Sequence, residues 1–214
     1  MELNSKSCED VGKLTALKMK HLIAILGLCV SCPAAAAAPS RPEFHRLAYA
    51  LHERQIAKHT IRTEEESGEY QGVAAAGYRY RTTSYFDAAT GRLLTRVQRD
   101  ADRPQAIHSV EVNIYDDTGR LVRDYLSIAL PWKPDWPASA YLNLHHYNGG
   151  LHSWRQYELD GRVNYEFCEG ELDGKRVKIS LDWTDINEKT TATPAYKACF
   201  DGMRNDWEPY LNPH

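Results

Sequence analysis

Four times along this chain an Asp and a Gly, followed at once by Arg or Lys, interrupt runs of β-branched and aromatic residues that alternate with polar ones. The pairs are Asp87 with Gly91, Asp116 with Gly119, Asp160 with Gly161 and Asp173 with Gly174. Gly supplies the positive φ that tight hairpin turns demand, and the Asp side chain accepts from nearby backbone N–H groups. Each interruption therefore reads as a hairpin turn, and hairpins in series make an antiparallel meander. The flanking alternation agrees: Tyr78, Tyr80, Thr82, Ser84 and Phe86 fall on one face of a strand. Strands are predicted at 78–86, 92–99, 107–115, 120–130, 154–159, 162–168, 170–172 and 175–183.

Two stretches change the period from two to helical. Residues 42–58 carry Phe44, Leu47, Ala48, Leu51 and Gln55 at three- and four-residue spacing, with Ser40 as the cap and Pro42 in the first turn. Tyr196, Cys199, Phe200 and Met203 make a second stripe, which predicts a short helix over 195–203. Between the first helix and the first strand, Glu64, Glu65, Glu66, Ser67 and Gly68 show no apolar period, and a Gly- and Ala-containing run follows at 72–77. That connection is expected to be irregular and poorly ordered. The fold class is α+β: an N-terminal helix over one face of an antiparallel β-meander of about seven to nine strands, and a short C-terminal helix.

Ahead of this body, Lys18 and Lys20 precede the apolar residues 22–30, and alanines fill 34–38. This is the layout of a secretory signal peptide. A membrane span needs about 20 apolar residues, and Pro33 stops this run well short of that. Glu2, Glu9 and Asp10 fit poorly in a charged leader, which points to translation from Met19. The expected organisation is a signal peptide at 1–37, cleaved to give a mature start near Ala37 or Ala38, and a single exported domain at 38–214, periplasmic or secreted. A lipoprotein anchored through Cys32 is the lesser alternative, because Cys29-Val30-Ser31 lacks the leucine usual three positions before a lipidated Cys.

Cleavage would leave Cys168 and Cys199, and in an oxidising compartment an isolated pair is expected to be bridged. Closing a loop of about 31 residues contributes about 3 kcal/mol in the chain-entropy model. Such a bridge would pin the C-terminal helix to the sheet. Removing residues 1–37 takes four lysines and three acids from the 26 basic and 29 acidic residues of the chain, leaving 22 and 26. That balance, with Arg alternating against Glu and Asp, argues against nucleic acid as a partner.

The stretches Phe86-Asp87-Ala88-Ala89-Thr90-Gly91-Arg92-Leu93-Leu94 and Tyr115-Asp116-Asp117-Thr118-Gly119-Arg120-Leu121-Val122 resemble the hairpin of bacterial YD-type repeats and that of PepSY-type exported modules. The resemblance covers under a fifth of the chain. It implies a β-rich binding or inhibitory role outside the cytoplasm and carries over no functional residue.

Candidate sites are few. His145, His146 and His152 lie beside Gly149 and Gly150 and form the best metal candidate. Neighbouring strand residues point to opposite faces, so only one of His145 and His146 can join His152, and polar loop histidines are the preferred reading. His45, His52 and His59 recur every seven residues along the first helix, about 10 Å apart, and are expected on its exposed face. Trp132 and Trp136, stiffened by prolines and followed by Tyr141 and Tyr147, could form a recognition platform for a peptide, a glycan or a protein. The weightier reading is that one or both tryptophans cap an open end of the core. Glu166, Glu169, Glu171, Asp182 and Asp185 are abundant acids, but no spacing selects a catalytic pair. The expectation is an exported binding protein that needs no cofactor. The alternative is a metal-assisted hydrolase using the 145–152 region.

Overall fold

The computed structural model describes residues 38–71, 76–133 and 139–211. The described residues form one compact unit. The architecture is α+β and mostly sheet. Helix α1 (Arg41–Lys58) precedes strands β1 (Ile61–Glu69), β2 (Arg79–Asp87), β3 (Leu93–Asp100), β4 (Ile107–Tyr115) and β5 (Leu121–Ile128). Then come β6 (Ser139–Asn148), β7 (Leu151–Glu158), β8 (Val163–Leu172), β9 (Lys175–Asp182), α2 (Glu188–Thr191) and α3 (Pro194–Phe200). A 3-10 turn at Glu208–Tyr210 follows. The nine strands form one antiparallel sheet in sequence order, as hairpins in series require.

The turns work as their residues dictate. At the β4–β5 turn the Asp116 carboxylate accepts from the backbone N–H groups of Thr118 and Arg120, each at 2.9 Å. The β8–β9 turn puts both Asp173 (φ 51) and Gly174 (φ 71) in the left-handed region, as a two-residue primed turn needs. Ser40 starts α1 by a capping box, its backbone N–H donating to Glu43 at 2.7 Å.

Strand alternation gives the sheet two unlike faces. On the covered face, Val97, Val110, Val112, Tyr125 and Leu142 pack beneath Phe44, Ala48 and Leu51 of α1. Farther along that face, Leu151, Cys168, Tyr196, Cys199, Phe200 and Met203 form a second cluster under α3. Cys168 and Cys199 are disulfide-bonded, so the bridge ties α3 to β8. Glu166 is buried beside this cluster and bonded to the Arg155 guanidinium and the Tyr196 hydroxyl. Burial, and then the bond to Glu166, pushes the Tyr196 hydroxyl up to about 12.

Three expectations change. The acidic connection at 64–68 is not irregular: it belongs to β1, an edge strand paired from Ile61 opposite Asp87 to Glu69 opposite Arg79. Nearly all of β1 is exposed, so no apolar period marks it; backbone pairing makes the strand, and its charges suit an unpaired edge. The histidines of α1 do not all face solvent. His52 is buried and bonded to the Thr95 hydroxyl, and half-buried His45 is bonded to Ser127, both at 2.8 Å. Only His59 is exposed. Residues 139–148 form strand β6 rather than a polar loop, paired with β7 across the turn at Gly149 and Gly150.

Candidate functional site

The face opposite α1 carries the most concentrated chemistry. All described helices pack on the covered side, and the open face presents Asn113, Asp124, Asn143, His145, Tyr147, His152 and Trp154 from β4 to β7. Register places them together: Asp124 is opposite both Asn113 and Asn143, and Tyr147 is opposite His152.

Asp124 is the hub. Asn143 donates its amide N–H to Asp124 Oδ1 at 2.6 Å, and His145 Nε2 lies 2.8 Å from Asp124 Oδ2. A carboxylate only accepts, so His145 carries its proton on Nε2. With both rings neutral, its Nδ1 accepts from His152 Nε2, 3.0 Å away, which leaves His152 Nδ1 as an acceptor. Burial holds the His152 imidazole below its ordinary pKa; His145 adds to this and Glu169 opposes it. The ring stays neutral at physiological pH.

Aromatic rings wall this set. His152 stacks on His145 on one side, with centroids 5.2 Å apart, and on Tyr147 on the other, at 4.5 Å and only 6° between planes. The Arg120 guanidinium lies 5.1 Å over the Tyr147 ring. Trp154 stacks against Phe167 and leans on Tyr165. Polar pairs continue the network toward β2, where Arg96 reaches Glu111 at 3.1 Å and Gln98 reaches Thr82 at 3.2 Å. Asn143 Oδ1 is buried and has no hydrogen-bond partner.

The residues singled out from sequence scatter across this plan. His145 and His152 meet; His146 points to the covered face opposite Ser153, as alternation requires. Both His145 ring nitrogens are committed, and among the described residues no group of three His, Cys, Asp or Glu side chains is placed to hold a metal ion. Tyr141 and Tyr147 share the open face of β6, about 20 Å apart along the strand. Trp132 joins neither: its ring packs on Tyr70 at 4.6 Å and Tyr78 at 6.0 Å, at one end of the sheet. Trp136 lies outside the described residues. Glu166 serves the covered side, while Glu169, Glu171, Asp182 and Asp185 are exposed. Asp124 and Asn143 were missed in the sequence. The signal was a carboxylate in the interior of the strand predicted at 120–130, where Asp is disfavoured unless it has a partner.

No family model, no curated protein and no solved structure matches this chain. Among the described residues no helix is long and apolar enough to cross a membrane.

Proposed function

We propose that this chain is an exported binding protein that holds a hydroxyl-rich ligand, an oligosaccharide, on the open face of its sheet. The observation that carries the reading is the Asp124–Asn143–His145–His152 hydrogen-bonded set walled by Tyr147 and Trp154. Sugar hydroxyls are donors that match the acceptor His152 Nδ1, and the C–H faces of a pyranose stack on aromatic rings. Few precisely placed polar groups among aromatic side chains is how small-ligand sites are generally built. Fixed side chains also limit the ordering cost of binding, and here stacking and paired bonds already hold the imidazoles.

Export is supported by the leader-like layout of residues 1–37 and by the Cys168–Cys199 bridge, which suits a periplasmic or extracellular setting. A binding role is preferred to hydrolysis on the bonding pattern. The relay from Asp124 to His152 would polarise a nucleophile, but among the described residues no Ser, Thr or Cys side chain is bonded to either ring.

Calorimetric titration with a panel of neutral and acidic oligosaccharides tests the reading. The expected result is saturable binding to at least one of them, weakened about tenfold or more in Trp154→Ala. Absence of saccharide binding, or equal affinity in wild type and Trp154→Ala, would overturn it. Turnover of the bound sugar would replace binding by hydrolysis as the function.

A further inference from the structure

The covered face holds a second site of different chemistry. Residues of β5 and β6 and of the segment after α3 enclose it. A cavity of about 290 Å³ remains, lined by Arg123, Leu144, His146, Met203, Arg204 and Tyr210 among others. Its charge is one-sided: none of its lining residues is acidic. Arg123 lies 4.8 Å over the Tyr210 ring and Arg204 lies 5.5 Å over the same ring, so one phenol gathers two guanidinium groups at the cavity wall. Arg204 is paired with Asp206, and both are largely exposed. Arg123 differs: its Nε is buried and has no hydrogen-bond partner. A buried donor of a charged group without a partner is costly, and an anion in the cavity would satisfy it.

We propose that this cavity binds a small organic carboxylate with a compact apolar body. The planar guanidinium fork of Arg123 matches a carboxylate in geometry and charge, with Arg204 and His146 as further donors. Leu144, Met203 and the Tyr210 ring provide an apolar wall that a bare inorganic anion would leave unused, and a thioether beside an aromatic body is a favourable contact. Size agrees: an apolar cavity of about 150 Å³ holds a benzene, and this one has room for a ring and a carboxylate together. His145 also borders the cavity, but His152 and Trp154, on which the saccharide reading is tested, do not, so the two readings stand or fall separately.

The experiment is a heteronuclear NMR titration of the oxidised protein with benzoate, benzyl alcohol and inorganic phosphate in turn. Benzoate is expected to bind with a Kd of about 1 mM or tighter, shifting resonances of β5, β6 and the segment from Met203 to Tyr210. Arg123→Gln should weaken it about 10- to 100-fold, the worth of losing a charged hydrogen-bonding group. Because Arg123 also stacks on Tyr210, Arg204→Gln serves as the second variant. Its side chain is 63 % exposed, so the fold does not depend on it, and it should weaken benzoate several-fold. The proposal is overturned if benzoate does not bind, if benzyl alcohol binds as well as benzoate, if phosphate alone binds, or if neither variant changes the affinity.

Discussion

The two faces of this sheet come from the same nine strands, yet they spend their side chains in opposite ways. The covered face buries the apolar core, with Val97, Val110, Val112 and Leu142 fully buried under α1. None of the described helices lies over the open face, but Thr82, Asn113, Asp124 and Asn143 are nonetheless buried, by their neighbours' side chains. Burial on one side comes from packing between layers, and on the other from lateral bonding within a layer. Stability should therefore reside in the covered face and recognition in the open one.

The largest effect should follow from breaking the covered face. Phe44→Ala removes a side chain that is 1 % exposed and touches the Tyr125 ring, and is expected to cost about 3–5 kcal/mol in urea unfolding. Reducing the Cys168–Cys199 bridge, or replacing both with Ser, should cost about 3 kcal/mol and loosen α3 before the strands, as amide exchange would show.

Acid should reveal the α1 seam. Burial, helped by the Arg99 charge, brings the His52 imidazole down to about 4 from 6.5. Once unfolded the ring takes up its proton near 6.5, so the unfolded state binds more protons between those values. Stability is then undiminished above about pH 6.5 and falls as the pH drops to about 4, by about 3 kcal/mol in all from this group. His52→Met should show a flatter pH dependence than wild type across that window.

The smallest stability effect is expected on the open face. Trp154→Ala should cost about 1 kcal/mol while abolishing most ligand affinity, since Trp154 is only half-buried. If Trp154→Ala instead destabilised as much as Phe44→Ala, the contrast between the faces would collapse, and the open-face rings would be core.

Part of this contrast was legible in the residues themselves. The helix stripe of Phe44, Ala48 and Leu51 and the Asp–Gly turns encode local geometry, so α1 and four hairpins could be read directly. Strand β1 could not, because an exposed edge strand needs no apolar residues, only a partner with free backbone groups. Strand β6 was hidden for a related reason: its histidines and Asn143 look like loop residues until β5 and β7 supply their partners.

Fold class, turn positions and the cysteine pair were thus determined by the sequence alone, since they rest on interactions among residues near in the chain or on a count. Which histidine meets which acid was decided only by tertiary structure. Asp124 and His145 are 21 residues apart, and whether they touch depends on strand register, where a slip of one residue would send every side chain to the other face. The same register turns the His146 side chain to the covered face, opposite Ser153, while His145 meets Asp124 on the open one.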